Sequence, residues 1–224
     1  MEKYKCEFIE FLVKKKALEF GEFVLKSKRI SPYFFNTGKF DDGESVSQLG
    51  YFYAKKITED IGVDKFDILF GPAYKGIPLA LATSIALKER FEINRSFAFD
   101  RKIAKDHGEK GLFVGAKIEE GKRILILDDV FTTGETKQNL IDAINSVADV
   151  SYAGVLISLD REEKDDSGKS AIAEFTQKTK IPVLSILKIS EVTEYLYNKE
   201  IDGKIYIDSE VKKKLDNYLS KYGI

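Results

Sequence analysis

The stretch RILILDDVFTTGET, residues 123–136, decides the fold. Residues 124–127 are apolar at every position and are followed by two aspartates, Asp128 and Asp129. A run that is apolar throughout, rather than at alternate positions, is typical of a parallel strand covered by helices on both faces. Its second half is rich in threonine and leads through Gly134 into a helical pattern. The stretch therefore predicts a strand, a loop and a helix in succession.

The chain around this stretch repeats the alternation of strand and helix. Short apolar segments predict strands, and apolar residues at helical spacing predict helices. The predicted strands are residues 68–70, 96–99, 124–127, 152–159 and 183–187; the predicted helices are residues 77–90, 135–147, 171–179, 192–197 and 211–218. This order predicts an α/β fold, doubly wound, with a mainly parallel sheet and helices on both faces.

The first 61 residues have a different pattern. Helical spacing predicts a first helix that ends near residue 14, and residues 20–25 and 32–36 read as two short extended segments of a hairpin. Ser45-Val46-Ser47-Gln48 has the spacing of a capping box and precedes an apolar stripe that runs to about residue 61. We expect residues 1–40, here called the hood, to form a small appendage of one domain that spans residues 1–224.

Composition excludes several classes of protein. Lys and Arg number 36 against 37 Asp and Glu, so the chain lacks the basic excess of a general nucleic-acid-binding module. With one Cys and one His there is neither an intrachain disulfide nor a Cys/His zinc site. Charges interrupt the apolar N-terminal residues, and no apolar run approaches the roughly 20 residues that span a bilayer. We expect a soluble cytoplasmic protein that binds no nucleic acid and no membrane.

Residues 128–136, here called the cradle, have the chemistry of a phosphate site. Ligands of open α/β sheets bind beyond the carboxyl ends of the strands. Gly134 lets the backbone approach an anion, while successive amides, a helix N-terminus and threonine hydroxyls donate hydrogen bonds. The two aspartates would repel a phosphate, but they suit the neighbouring hydroxyls of a ribose and hydrated Mg²⁺. The order of residues therefore indicates a ribose followed by its 5′-phosphate.

A plainer interpretation is that Thr132-x-x-Glu135 is only a capping box at the start of a helix. The apolar strand and the acidic pair favour the functional interpretation instead. Neither of the other common phosphate-binding sequences, the Walker A loop and the Rossmann glycine pattern, occurs in the chain.

The cradle resembles the phosphoribosyl-diphosphate motif of type I phosphoribosyltransferases. Further stretches resemble the orotate phosphoribosyltransferase family, and together they cover most of the chain: GEFVLKS at 21–27 with SPYFFN at 31–36, FGPAYKGIP at 70–78, DRK at 100–102 with KDHG at 105–108, and ISLDR at 157–161. The resemblance implies transfer of a phosphoribosyl group from phosphoribosyl diphosphate to orotate, giving orotidine 5′-phosphate and diphosphate in UMP biosynthesis. It also implies Mg²⁺, carried mainly by the diphosphate and water-bridged near Asp128, with no direct protein ligand.

The resemblance also assigns roles to residues. Lys105, on a moving lid of residues 101–115, is the leading catalytic candidate, together with Asp128 and Asp129. Phe34 and Phe35 of the hood are expected to hold the pyrimidine, and Thr132 and Arg161 to help read it. Contacts to phosphoribosyl diphosphate are expected from Lys26, Tyr74, Lys75, Arg101, Lys102, Lys105, His107, Asp128, Asp129, Val130, Phe131, Thr132, Thr133, Gly134, Glu135 and Thr136. The family further implies a homodimer in which the lid closes over the neighbouring subunit's site.

Several alternatives stay open from sequence. Without the resemblance, Phe34 and Phe35 would be interpreted as ordinary strand core, and Arg161 as an exposed ion-pair partner of a following glutamate. A phosphoribosyltransferase for a purine or uracil would share the cradle but differ in the base site. A noncatalytic sensor of phosphoribosyl diphosphate would also keep the fold.

Two structural expectations follow from individual residues. Lys28 stands where relatives are expected to carry Gly, so a positive φ there would cost about 1 kcal/mol. Because Asp128 and Asp129 follow a strand, we expect them to lie outside the core and to tolerate replacement by Asn without loss of the fold.

Overall fold

The computed structural model of the chain describes residues 1–25, 27–101, 111–132, 134–165 and 168–224. Its strands are β1 (Leu18–Val24), β2 (Ile30–Phe35), β3 (Ile68–Phe70), β4 (Ser96–Asp100), β5 (Phe113–Gly115), β6 (Arg123–Val130), β7 (Ser151–Asp160), β8 (Val183–Lys188), β9 (Glu200–Ile201) and β10 (Lys204–Ile205). Its helices are α1 (Lys3–Lys14), α2 (Gly43–Lys56), α3 (Gly76–Phe91), α4 (Glu135–Asn145), α5 (Ala171–Thr179), α6 (Ile189–Leu196) and α7 (Ser209–Tyr222). None of the helices described is long and apolar enough to cross a bilayer.

The central sheet has the strand order β5-β4-β3-β6-β7-β8. All neighbouring strands are parallel except β5, which pairs antiparallel with β4 at the edge. The predicted strands are confirmed. Strand β5 and the hairpin of β9 and β10 were not predicted: β5 falls in the segment interpreted as a lid, and two-residue strands are too short to show a periodic pattern.

Side chains of the central strands alternate between two cores. In β6, Leu125 and Leu127 pack into the core that contains α1, α2, α3, α6 and α7. Ile124 and Ile126 face the other side, where α4 and α5 cover the sheet. This division explains the unbroken apolar run and confirms the predicted doubly wound arrangement.

The N-terminal region begins with α1, followed by the antiparallel hairpin of β1 and β2, as predicted. Helix α2 begins earlier than expected: its cap is Asp42, whose carboxylate accepts a hydrogen bond from the Ser45 amide at 2.6 Å. The predicted capping box at residues 45–48 was therefore wrong. Asp42 and Ser45 have the same three-residue spacing, and together they start the helix one turn sooner.

The hairpin turn of the hood is strained at Lys28. This residue has a φ of 63°, which lies in the left-handed region, and its amide donates a 2.9 Å hydrogen bond to the Leu25 carbonyl. The turn therefore does require a positive φ at this position, and the conformation costs about 1 kcal/mol relative to glycine.

The C-terminal helix attaches the hood to the loop that follows β7. Tyr33 of β2 packs edge-on against Tyr218 of α7, with ring centroids 6.2 Å apart. Arg29 donates a 2.8 Å hydrogen bond to the Lys164 carbonyl and stacks over Tyr222. These contacts bring the hood to the carboxyl end of β7.

Candidate active site

Three parallel strands, β3, β6 and β7, end at the same edge of the sheet, so the loops that follow them meet there. The loop after β3 leads to Lys75, β6 ends in the acidic pair, and Arg161 follows β7. These three predicted sequence motifs therefore converge on one region.

The loop after β3 lies directly against the end of β6. A Cβ atom on Gly76 would stand 2.8 Å from the Leu127 carbonyl oxygen, closer than packed atoms allow, so glycine is required at this position. The Asp100 carboxylate at the end of β4 accepts a 2.6 Å hydrogen bond from the Ala73 amide. These two contacts place Lys75, which immediately precedes α3, next to the acidic pair.

Asp129 is held by residues from two distant segments. One of its carboxylate oxygens, Oδ2, accepts hydrogen bonds from Lys75 Nζ at 2.7 Å and from Thr37 Oγ1 at 2.9 Å. The other, Oδ1, accepts from the Val130 amide at 2.9 Å. Burial lowers the pKa of Lys75, but the hydrogen bond and negative charge of Asp129 outweigh it, so that pKa is raised and the lysine is a cation.

Asp128 pairs with a lysine that the sequence analysis did not select. Lys137 Nζ lies 2.5 Å from Asp128 Oδ2, and the side chains are only 6% and 13% exposed. The second oxygen, Oδ1, accepts from the Asp129 amide at 2.8 Å. Burial raises the pKa of the Asp128 carboxyl, and the positive charge of Lys137 acts against that rise.

A sequence signal for Lys137 was present. Residues 137, 140, 141 and 144 follow helical spacing, and Leu140, Ile141 and Ile144 form the buried face of α4. Lys137 therefore falls on an apolar helix face, where a lysine needs a partner.

Tyr53 of α2 fixes the backbone at the same point. Its hydroxyl donates to the Asp128 carbonyl at 2.6 Å and lies 2.7 Å from Ser158 Oγ on β7. This fully buried tyrosine was assigned only to the apolar stripe of α2 in the sequence analysis. Its spacing gave no indication that its hydroxyl reaches β6.

The cradle ends in a helix N-terminus capped by glycine. Helix α4 begins at Glu135, and Gly134 precedes it with a φ of 77°. The interpretation of Thr132-x-x-Glu135 as a capping box is wrong, because Gly134 and not Thr132 occupies the cap position. Phe131 is buried against Phe175 at 5.2 Å between centroids, whereas Thr132, Glu135 and Thr136 are exposed.

The two phenylalanines of the hood lie on opposite sides of β2. Phe35 is 8% exposed and packs in the core, whereas Phe34 is 38% exposed and stacks on Phe23 with ring centroids 5.5 Å apart. Adjacent strand residues point to opposite faces, so the expected joint contact of both rings with a base is not compatible with this strand. Phe34 alone is presented outward.

Arg161 lies in a polar cluster beneath the hood. Its guanidinium donates to Glu163 Oε1 at 2.6 and 3.0 Å and stacks 4.5 Å above the Tyr33 ring. Tyr33 also donates to Glu163 Oε1 at 2.9 Å. The ion pair with a following glutamate that the sequence allowed does exist, but with side chains 15% and 14% exposed it is a mostly buried pair rather than a surface one.

The remaining predicted residues divide into two groups. Arg101 donates through its amide to the Leu112 carbonyl at 3.0 Å, Val130 ends β6, and Tyr74 is 65% exposed. The others lie outside the described residues: Lys26, Lys102, Lys105, His107 and Thr133.

The chain matches the family model described as "Phosphoribosyl transferase domain" over residues 37–172. It is 45% identical to "Orotate phosphoribosyltransferase" of Clostridium acetobutylicum over 224 residues, covering 100% of both chains. The chain belongs to the orotate phosphoribosyltransferase family.

Solved structures agree with this assignment. The orotate phosphoribosyltransferase of Francisella tularensis superposes with a TM-score of 0.82 at 40% identity, covering 97% of this chain and 100% of the other. The orotate phosphoribosyltransferase of Mycobacterium tuberculosis in complex with 5-phospho-α-D-ribosyl 1-diphosphate has a TM-score of 0.61 at 18% identity, covering 84% and 98%. At 18% identity, the similarity to the Mycobacterium tuberculosis structure shows a shared fold only.

The acidic pair is more deeply buried than the sequence suggested. We had expected both aspartates to lie outside the core and to tolerate replacement by Asn. In the structure Asp128 and Asp129 are 9% and 5% exposed, and each is ion-paired. Loss of either charge leaves a lysine without its partner, and the cost depends on how buried that lysine is.

We predict that Asp128→Asn destabilises the protein more than Asp129→Asn does. Asp128→Asn leaves the buried Lys137 without a counter-ion and should lower the free energy of unfolding by about 3–5 kcal/mol. The second releases Lys75, which is 40% exposed and can be hydrated, so its cost should be about 1 kcal/mol. Urea unfolding measures the free energy of unfolding of both variants.

The control is Asp142→Asn, which changes an exposed carboxylate on α4. Its free energy of unfolding should stay within about 0.5 kcal/mol of that of the unmodified protein. Equal losses from the two cradle variants would contradict this explanation.

Proposed function

We propose that this chain transfers the 5-phosphoribosyl group of phosphoribosyl diphosphate to orotate. A ring nitrogen of orotate bonds to ribose C1′ and loses its proton, while the C1′–oxygen bond to diphosphate breaks and the diphosphate takes the bonding electrons. The observation that carries the proposal is the buried acidic pair at the end of β6, followed by the Gly134-capped start of α4. Family membership supports orotate as the base and UMP biosynthesis as the setting.

The cradle is proposed to hold the ribose 5-phosphate half of the substrate. The α4 N-terminus supplies amides that have no partner within the helix, together with partial positive charge for the phosphate, and exposed Thr132 and Thr136 add hydroxyl donors. Asp128 and Asp129 are proposed to accept hydrogen bonds from the two ribose hydroxyls. Each carboxylate oxygen has more than one acceptor site, so the lysine pairs do not prevent this.

The diphosphate needs positive charge as it leaves. Lys75 is half-exposed and held by Asp129, so a diphosphate oxygen can replace that carboxylate without drawing the lysine from the core. Family resemblance adds Lys26, Tyr74, Arg101, Lys102, Lys105 and His107 to this end of the substrate.

Mg²⁺ is proposed to enter with the diphosphate. Among the residues that the structure describes, no group of three Asp, Glu, His or Cys side chains is placed to hold a metal. Mg²⁺ commonly uses substrate phosphates and water with at most one or two carboxylates, so hydrated Mg²⁺ near Asp128 fits the residues present. When bound, the ion neutralises charge that develops on the leaving group.

The base is proposed to lie between the hood and the loop after β7. Exposed Phe34 offers a ring face, and Arg161 provides a permanent positive charge for the carboxylate of orotate. Thr132 is proposed to assist from the cradle. Phe35 is proposed to support Phe34 from the core and not to contact the base.

A homodimer is proposed from the family and is supported by α3. This helix is apolar on several sides, and Leu81 and Ile85, one turn apart, are 41% and 49% exposed. Apolar residues at this spacing on an exposed helix face favour burial against another surface. A second copy of the chain is the proposed partner, with residues 101–115 of each subunit closing over the other subunit's site.

We predict that orotate and phosphoribosyl diphosphate give orotidine 5′-phosphate and diphosphate only when a divalent cation is present, because the leaving group needs its charge neutralised. Release of diphosphate, measured with and without EDTA, tests the metal requirement. Hypoxanthine, adenine and uracil serve as alternative bases. If one of these bases is converted and orotate is not, the assignment of orotate as the base is wrong. The proposal that the cradle binds the ribose phosphate would still hold. Binding of phosphoribosyl diphosphate without turnover of any base would favour a noncatalytic sensor.

We further predict that Lys105→Ala and Asp129→Asn complement each other in a mixed dimer. A hybrid has one site that combines an intact cradle with an intact lid from the other subunit. Lys105→Ala alone should lower kcat more than substrate affinity, because the lid charge acts chiefly in the transition state. Activity should partly recover after subunit exchange, with mass spectrometry confirming the hybrids. Confirmed exchange without recovery would show that the lid serves its own subunit.

A further inference from the structure

The two aspartates of the cradle are each paired with a lysine, and the two pairs differ sharply in burial. Lys75 is 40% exposed, whereas Lys137 is 6% exposed and sits among the apolar residues of α4. A lysine in such a place is stable as a cation only while a partner compensates its desolvation. The two lysines therefore cannot have the same role in binding the substrate.

Lys137 contacts three nearly consecutive residues of the cradle. Its Nζ lies 2.5 Å from Asp128 Oδ2, donates to the Val130 carbonyl at 3.3 Å, and stands 5.5 Å from the centre of the Phe131 ring. All three contacts start from the first turn of α4. They join the helix N-terminus, where the phosphate is proposed to bind, to the carboxylate proposed for the ribose.

We propose that Lys137 is a positioning residue for phosphoribosyl diphosphate: it is the fixed counter-ion of Asp128 and holds that carboxylate in place, oriented toward the ribose. This rests on the proposed function of the cradle. Lys75 can exchange its contact with Asp129 for one with the substrate. Lys137 cannot do the same, because moving away would leave the buried Asp128 carboxylate without its counter-ion. Lys137 therefore acts on the substrate only through Asp128.

A double-mutant cycle tests whether the two residues act as one unit. The proteins are the unmodified chain, Lys137→Met, Asp128→Asn and the double variant. Calorimetry measures the affinity for phosphoribosyl diphosphate with Mg²⁺ and without orotate. Lys178→Met, which removes an exposed positive charge on α5, is the matched control and should leave the affinity unchanged.

Lys137→Met should weaken binding by about tenfold, the effect of losing a hydrogen-bonded charge. The double variant should bind no more weakly than Asp128→Asn alone, because Lys137 has no effect once its carboxylate is gone. Lys137→Arg, which keeps the charge, should bind better than Lys137→Met. If the single losses multiply in the double variant, Lys137 acts independently of Asp128 and the proposal is overturned.

Folding and function are separated within the same experiment. If Lys137→Met does not fold, the double variant, which leaves no unpaired charge, is compared directly with Asp128→Asn, and weaker binding by the double variant overturns the proposal. If the unmodified chain fails to turn over orotate but shows the expected cycle, the proposed base is wrong and the role of Lys137 holds. If it does not bind phosphoribosyl diphosphate at all, the proposal fails.

Discussion

Pairing of the two aspartates at the end of β6 with Lys137 and Lys75 is the interaction on which the site depends. Two adjacent carboxylates beyond a buried strand repel each other and lose hydration. They are stable there because α4 supplies one cation and the loop before α3 supplies another. The requirement for both cations fixes where these two segments lie relative to β6.

The same requirement explains features that otherwise look unrelated. Gly76 must lack a side chain so that its loop can approach Leu127 and bring Lys75 to Asp129. Gly134 must adopt a positive φ so that α4 begins at Glu135, within the cradle, with Lys137 in its first turn. Tyr53 ties the Asp128 carbonyl to β7 from the opposite core. The amides at the start of α4 and the two carboxylates, which are proposed to bind the phosphate and the ribose, are thereby held in fixed positions relative to each other.

Much of this fold was predictable because its signals are local. The unbroken apolar run in β6 predicts a strand buried on both faces, and the spacing in α4 predicts a helix packed on one side. The opposite orientations of Phe34 and Phe35 were also predictable from strand geometry, although the family resemblance suggested a joint role. The short strand β5 and the Asp42 cap were missed because each depends on one or a few residues.

The partners of the acidic pair were not predictable in the same way. Thr37, Tyr53 and Lys137 lie 92, 75 and 9 positions from the aspartates that they contact. Only the tertiary fold brings the first two to β6, since no local pattern links a hydroxyl in the hood region to a carboxylate in the sheet. Lys137 did have a local signal, a charged residue on an apolar helix face, but that signal does not identify its partner.

Of the two lysine–aspartate pairs at the end of β6, one is proposed to be fixed and the other exchangeable. A crystal structure with phosphoribosyl diphosphate and Mg²⁺ bound measures both pairs directly. We expect Lys137 Nζ to stay within hydrogen-bond distance of Asp128, as in the 2.5 Å contact here, and Lys75 Nζ to move from Asp129 to a diphosphate oxygen. A complex in which Lys137 has left Asp128, or in which Lys75 still binds Asp129 and does not touch the diphosphate, would contradict this account.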